Sequence, residues 1–274
     1  MRRQTGSVVC PRCGKLVGVG EKSCPYCGAW QPGMFGYGPV LRRAFGGAFD
    51  LGNVIIAYCV VLYLLSLAID PGAIQMRGLF DLLAPSGAAL YHLGMTGGYA
   101  WAAGQWWTLA TATFLHGSLL HILFNMLILK QFMPNVVDLW GAPRAFLVFM
   151  AGGIGGFLIS NVATGHPTIG ASGAIFGLLG ALISYGRRTH QGHITQQLWI
   201  SAIFMFVMGF TMGSVNNWAH AGGFAAGFGT AELMPTSHRR EGMGVLLLAG
   251  FLALVSVAGV VLSFLGFTRL LSGR

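Results

Sequence analysis

Charged residues are scarce in this chain, at 8% of its 274 residues, and only seven of them are acidic. A soluble domain carries roughly 25% charged residues, so this deficit argues against an ordinary soluble globular protein. With 54% hydrophobic residues and 43 glycines, the composition favours a membrane protein. The long stretches without Asp, Glu, Lys or Arg are 82–129, 145–186, 189–231 and 242–268.

Apolar runs in these stretches are long enough to cross a bilayer, whose hydrocarbon core of roughly 30 Å takes about 20 residues of helix. No apolar run typical of a cleavable signal peptide precedes residue 50, so we expect the first span to act as its own insertion signal. We predict seven spans, at residues 53–69, 118–135, 143–163, 171–186, 195–213, 218–234 and 244–266.

Basic residues alternate between the predicted loops, which sets the expected orientation. They cluster before the first span and follow spans two, four and six, so the positive-inside rule predicts a cytoplasmic amino terminus and an external carboxy terminus. We expect a multi-pass protein of the plasma membrane. The net charge of +9 is then mainly a topology signal, and no nucleic-acid partner is expected. The loop residues are Lys130, Arg144, Arg187, Arg188, Arg239 and Arg240.

Four of the five cysteines lie in residues 10–28, CPRCGKLVGVGEKSCPYCG, as two Cys-x-x-Cys pairs. This spacing predicts a zinc-ribbon-like knuckle holding a structural Zn²⁺ through Cys10, Cys13, Cys24 and Cys27. A rubredoxin-like iron site is an alternative, and a disulfide or redox pair is less favoured in a reducing cytosol. So short a module has little core and depends on its metal. Its expected role is structural or to bind a cytoplasmic partner, and we interpret Cys59 as a packed thiol of the first span.

Polar side chains at membrane depth are costly and mark function. Span two carries His116, His121 and Asn125, span four opens with Ser172, and span six opens with His220. The predicted topology brings all of these to the outer ends of three helices that run inward. A serine and a histidine within about 3 Å of each other would act as nucleophile and general base.

Small residues form stripes on spans four and six. Gly173, Gly177 and Gly180 share one face, and Gly223 and Gly227 share another with the histidine. Such faces let helix backbones come into near contact. Taken alone, each feature has a structural reading, in which the serine bonds to a backbone carbonyl and the histidine relays protons or makes a structural bond.

Three motifs together resemble those of the rhomboid intramembrane serine proteases. They are HGSLLHILFN at 116–125, GASG at 170–173 and AHAGGFAAG at 219–227. The resemblance covers roughly residues 50–235. It implies an all-α polytopic membrane protein with a six-helix rhomboid-type bundle, a seventh C-terminal transmembrane helix and a preceding zinc-ribbon module. The corresponding domains are a module at 1–30, a linker at 31–52, a catalytic core at 53–235 and a C-terminal helix and tail at 236–274.

The resemblance implies a catalytic dyad of Ser172 and His220 that cleaves transmembrane segments of single-pass membrane proteins near their outer ends. It assigns oxyanion binding to His121 and Asn125. No acidic third member is expected, because Asp138 is the only Asp or Glu between 82 and 231. The supporting residues that it implies are Gly170, Gly173, Phe176, His116, Gly223 and Gly227, with Phe176 packed on the histidine ring.

Two positions depart from the family pattern. Trp107 is followed by Thr108 where the family commonly has arginine, and Asn216 and Asn217 stand where many relatives carry an acidic residue. Two other functions remain as alternatives: a pseudoprotease that binds membrane helices without cleaving them, and a channel or transporter. The second is disfavoured because the inner halves of spans two, four and six carry few polar residues.

Overall fold

A computed structural model describes residues 5–10, 14–28, 30–33, 50–211, 215–236 and 242–271, the last five by their backbone alone. The predicted metal ligand Cys13 therefore lies outside the described residues. The chain divides into two compact units, Met1–Val54 and Ile55–Arg274.

The amino-terminal unit contains a small antiparallel sheet. Strand β1 is Ser7–Val9 and strand β2 is Leu16–Gly18, with Val8 opposite Val17. Because successive side chains of a strand point to opposite faces, these two valines are buried while their neighbours are exposed. The buried cluster of this unit consists of Val8, Cys10, Val17, Val19, Cys24 and Cys27. Half of this core is therefore cysteine.

From residue 50 onward the described part of the chain is mainly helical, which confirms the predicted all-α membrane fold. Its long helices start and end within five residues of the predicted spans, although Pro134 lies inside the second of them. The long helices are α1 (Leu51–Ile69), α5 (Leu119–Trp140), α6 (Ala142–Ala163), α7 (Ser172–Arg188), α8 (Gly192–Thr211), α9 (Asn217–Glu232) and α10 (Met243–Leu271).

Five of these helices are long and apolar enough to cross a bilayer: α1, α5, α6, α8 and residues Met243–Gly266 of α10. Helices α7 and α9 have 17 and 16 residues. At about 1.5 Å per residue they are roughly 25 Å long, less than the hydrocarbon core of about 30 Å. The protein is a multi-pass membrane protein, and the count of seven spans stays a prediction for these two short helices.

Helix α7 lies in the centre of the bundle, and every residue from Gly173 to Ser184 is buried. It packs closely against α6 and α9 because glycines meet at both interfaces. A Cβ atom at Gly177 would lie 2.7 Å from Cα of Gly152, and one at Gly223 would overlap the carbonyl of Gly173. The near contact of backbones predicted from the small-residue stripes is therefore present.

The carboxy-terminal ends of α7 and α9 are joined by polar contacts. Ser184 Oγ donates to Oε1 of Glu232 at 2.8 Å, and Arg187 Nη2 bonds to the same oxygen at 2.8 Å. Arg188 Nη1 donates to the carbonyl of Ala231 at 2.6 Å. These contacts fix the carboxy-terminal ends of α7 and α9 with respect to each other.

The segment between α1 and α5 folds into short helices, and α10 packs on it. The indole Nε1 of Trp107 donates to Ser263 Oγ at 2.9 Å, and Tyr58 of α1 donates to the carbonyl of Ser256 at 3.1 Å. Helix α10, the last of the seven long helices, is thus hydrogen-bonded to this segment and to α1. The short helices are α2 (Gly87–His92), α3 (Gly98–Ala102) and α4 (Thr108–Thr111), with 3₁₀ turns at Pro71–Ala73 and Ala112–Phe114.

Candidate active site

The side chains of Ser172 and His220 are in hydrogen-bond contact, with 2.9 Å between Oγ and Nε2. Ser172 is the first residue of α7, and His220 lies in the first turn of α9. The imidazole is only 6% exposed, whereas Ser172 is half-buried. The backbone contact of the two helices at Gly173 and Gly223, next to these residues, is what permits so short a side-chain bond.

Phe176 fixes the orientation of the His220 ring. It lies one turn after Ser172, and its ring stacks on the imidazole with centroids 4.4 Å apart and planes 22° apart. Phe206 of α8 supports it edge-on at 6.4 Å. Nδ1 of His220 is buried and has no hydrogen-bond partner within the described part of the chain. Stacking on the ring face, and not a hydrogen bond to Nδ1, therefore restricts the orientation of the imidazole among the described residues.

His121 directs one ring nitrogen toward the segment that leads into Ser172. Its Nδ1 accepts the backbone N–H of Gly117 at 3.3 Å, so in the neutral ring the proton is on Nε2. A Cβ atom at Gly170 would lie 2.7 Å from that nitrogen, and Gly170 also has φ of +121°. Only glycine satisfies both conditions. The result is an N–H donor close to the serine.

The amino terminus of α7 has no side-chain cap. By contrast, Ser118 caps α5 by accepting the N–H of His121, and Asn216 caps α9. The first-turn N–H groups of α7, beginning with Ser172 itself, are thus left to bind another acceptor, and the helix dipole favours an anion there.

The two other predicted polar residues, Asn125 and His116, both contact His121. Asn125 is 6% exposed, and its Nδ2 donates to the carbonyl of His121 at 2.8 Å. His116 is fully buried, and its ring packs edge-on against that of His121 with centroids 5.1 Å apart. Among the described residues neither forms a hydrogen bond to Ser172 or His220, so both support His121 in this arrangement.

A second group of polar residues surrounds the carboxy-terminal end of α6 and the amino-terminal end of α9, and the sequence motifs did not single most of them out. We call it the head network: Thr96, Thr108, Ser160, Asn161, Thr168 and Asn216. All except Asn216 are at most 9% exposed. The available signal was the Ser-Asn pair near the end of an otherwise apolar span.

In the amino-terminal unit, the sulfur atoms of Cys10, Cys24 and Cys27 all lie within 4.8 Å of one another. Cys10 Sγ and Cys27 Sγ are 3.7 Å apart, well beyond a disulfide bond of about 2.05 Å. Gly14 and Gly28 have positive φ of +71° and +67°, and the N–H of Gly28 bonds to the Cys24 carbonyl at 2.8 Å. The tight turns expected of metal knuckles are therefore present, and three converging thiols suit a metal ion.

These features define a polytopic membrane protein with a serine–histidine pair at the amino-terminal ends of two short inner helices. The family model for the Rhomboid domain matches residues 103–236. The chain belongs to the rhomboid family. The matched region includes Ser172, His220, His121 and Asn125.

Several curated proteins are similar to this chain. Rhomboid protease GluP of Bacillus subtilis (strain 168) is 35% identical over 136 residues, which cover 48% of this chain and 27% of that protein. The putative rhomboid protease YdcA of the same organism is 32% identical over 148 residues, covering 50% and 69%. RHOMBOID-like protein 1 of Arabidopsis thaliana is 32% identical over 178 residues, covering 63% and 44%. The chain thus spans about a quarter of GluP and about two thirds of YdcA.

Proposed function

We propose that this protein is an intramembrane serine endopeptidase that uses Ser172 and His220 as a catalytic dyad. The observation that carries this proposal is the 2.9 Å contact between Ser172 Oγ and His220 Nε2, made by residues of two different helices. Membership of a family that includes proteins named as proteases supports it. A serine bonded only to its own helix backbone would have favoured a structural role.

In the proposed reaction, His220 Nε2 accepts the proton of Ser172 while Oγ attacks the carbonyl carbon of a peptide bond. The oxygen becomes an anion that the N–H of Ser172 and the Nε2–H of His121 stabilise, with Asn125 as a further predicted contributor. The imidazolium lies against the face of Phe176, which favours a cation. His220 then returns its proton to the leaving amine, and a water molecule releases the acyl group by the same steps in reverse.

The short lengths of α7 and α9 suggest where the site lies in the bilayer. Arg187 and Arg188 end α7 and favour the cytoplasmic interface. A helix of about 25 Å that starts there ends several ångströms short of the outer boundary of a hydrocarbon core of about 30 Å. We therefore place Ser172 just below the outer surface of the plasma membrane, with the amino terminus cytoplasmic and the carboxy terminus outside.

The substrates that we propose are single-pass membrane proteins cut near the outer ends of their transmembrane segments. A peptide bond inside a regular helix is shielded by its neighbours, so the segment has to unwind before attack. Small or helix-breaking residues near the cleaved bond are expected for this reason.

The test is cleavage of a single-pass reporter protein by purified full-length protein in bilayers. Ser172→Ala and His220→Ala should each abolish cleavage while the melting temperature stays close to that of the wild type. Turnover that persists in either variant would refute the dyad. If the wild type cleaves no reporter and reacts with no fluorophosphonate, the pseudoprotease that only binds membrane helices becomes the better assignment.

We also propose that Cys10, Cys24 and Cys27, completed by Cys13, hold one structural Zn²⁺. Four thiolates complete the tetrahedral coordination that zinc prefers in structural sites. The metal supplies the stability that a core made half of cysteine does not provide. The module then serves to bind a cytoplasmic protein.

Elemental analysis of purified full-length protein tests the metal. One zinc per chain is expected, and Cys10→Ser combined with Cys24→Ser should remove it. Iron at the same stoichiometry, or no metal, would contradict the zinc assignment. Because the module lies outside the proposed catalytic core, reporter cleavage should persist in this variant.

A further inference from the structure

Asn216 and Thr168 occupy matching positions ahead of the two proposed dyad residues. Asn216 precedes His220 by four residues, and Thr168 precedes Ser172 by four. Asn216 Nδ2 donates to Thr168 Oγ1 at 3.0 Å and to Ser160 Oγ of α6 at 2.6 Å. One amide thus connects the head of α9 to the segment that leads into α7 and to the adjacent helix.

The orientation of this amide is determined by its other contacts. Asn216 Oδ1 accepts the backbone N–H groups of Trp218 and Ala219 at 3.1 and 3.2 Å, as the amino-terminal cap of α9. Thr168 Oγ1 donates to the carbonyl of His166 at 2.9 Å, so it accepts from Nδ2. Both Nδ2 hydrogens and the Oδ1 oxygen of Asn216 therefore have partners.

The head network continues into the segment before α5. The N–H of Thr168 donates to the carbonyl of Thr96 at 2.9 Å, and Thr96 Oγ1 accepts from Asn161 Nδ2 at 3.0 Å. Thr108 Oγ1 lies 3.1 Å from Thr96 Oγ1. Both departures from the family pattern, at 108 and 216, thus belong to one network, which contains only neutral side chains.

We propose that Asn216 is a positioning residue for the dyad, acting through Thr168 and Ser160 to hold the heads of α7 and α9 in register. This inference rests on the proposed function. The interface between the two helices consists largely of glycines, which supply close approach but no interlocking side chains against sliding. Hydrogen bonds prevent α7 and α9 from sliding past each other at both ends. Ser184 bonds to Glu232 at their carboxy-terminal ends. The head network joins their amino-terminal ends.

A small displacement between the amino-terminal ends of α7 and α9 would separate Ser172 Oγ from His220 Nε2. The contact between Oγ and Nε2 is 2.9 Å, and a hydrogen bond is lost within less than 1 Å of displacement. A misplacement of about 1 Å lowers the rate of a positioned reaction by up to roughly 100-fold. Loss of the head network should therefore lower kcat more than it changes KM.

Asn216→Leu removes the polar atoms at similar volume, and we expect kcat to fall by about tenfold or more, with KM changed by less than about threefold. Asn216→Asp keeps the cap, and the hydroxyls of Ser160 and Thr168 can turn to donate to it. It should retain kcat within about threefold of the wild type. Thr168→Val and Ser160→Ala leave the cap intact and should each lower kcat by about threefold to tenfold. Thr230→Val, which deletes a half-buried hydroxyl at the far end of α9, is the control.

Fluorophosphonate labelling of each variant distinguishes a defect in positioning the dyad from a defect in folding. A positioning defect slows labelling but leaves its final stoichiometry near that of the wild type, whereas misfolding lowers the final stoichiometry. The double variant Ser160→Ala with Asn216→Leu should be no slower than Asn216→Leu alone, because both changes remove the same bond.

Well-labelled Asn216→Leu and Thr168→Val proteins with wild-type kcat would overturn the positioning role. Strictly additive effects in the double variant would overturn its action through Ser160. A wild type whose turnover matches that of Ser172→Ala would instead refute the proposed function. The two failures are therefore distinguishable.

Discussion

Substitution of Gly177 by alanine tests whether the glycine contacts of α7 hold the dyad together. Its new Cβ would lie 2.7 Å from Cα of Gly152 and 3.2 Å from the carbonyl oxygen of Gly223. Ordinary van der Waals contact begins near 3.4 Å, so α7 and α6 have to separate by about 0.7 Å. Overpacking of this kind costs about 1–3 kcal/mol, which the better helix propensity of alanine offsets by up to about 1 kcal/mol.

We therefore expect the free energy of unfolding of Gly177→Ala to fall by up to about 2 kcal/mol. A separation of about 0.7 Å between α7 and α6 at Gly177 also moves Ser172, at the start of α7, with respect to His220. We therefore expect kcat to fall by about tenfold. Unfolding is followed in detergent by tryptophan fluorescence, and turnover by reporter cleavage in bilayers. The matched control is Gly229→Ala on α9, where a new Cβ meets no atom within 4 Å.

Gly229→Ala should keep turnover near that of the wild type and raise the free energy of unfolding by up to about 1 kcal/mol, because only the better helix propensity of alanine applies there. Gly177→Ala that behaves like this control would refute the idea that the α7 contacts position the dyad.

Three further predictions concern two contacts of the candidate site and one contact of α10. Phe176→Leu removes the ring stacked on His220 and should lower kcat by about tenfold while costing less than about 1.5 kcal/mol of stability; an unchanged kcat would contradict the orienting role of the ring. Gly170→Ala places a Cβ against His121 at a positive φ and should lower the labelling rate at least about tenfold, so an unchanged rate would show that His121 does not approach the serine. Ser263→Ala leaves the indole N–H of Trp107 without its acceptor and should cost about 1–3 kcal/mol of stability; equal melting curves would contradict that contact.

The helical membrane fold and the partners in the candidate dyad were predictable because they depend on local patterns. Long apolar runs between clusters of basic residues predict helices directly. Glycines spaced on one face of α7 and of α9 indicate that these helices touch, and Ser172 and His220 lie in the first turns of the two helices. The spacing of the cysteines likewise predicted that Cys10, Cys13, Cys24 and Cys27 would converge, and the three of them that the structure describes, Cys10, Cys24 and Cys27, do so.

The head network and the place of α10 were not predictable from such patterns. Asn216, Ser160 and Thr168 lie on three different segments, and nothing in the spacing of isolated Ser, Thr and Asn residues shows which of them will meet. The bond between Trp107 and Ser263 joins residues 156 positions apart. Such contacts depend on how the helices are arranged in three dimensions, which hydrophobic periodicity along the chain does not determine.

The most direct test of the dyad is the reaction of full-length protein with a fluorophosphonate, followed by intact-mass measurement and mapping of the adduct. We expect one adduct per chain, at Ser172, and at least about 100-fold slower labelling in His220→Ala. An adduct at another residue, no adduct in the wild type, or equal labelling rates with and without His220 would contradict it.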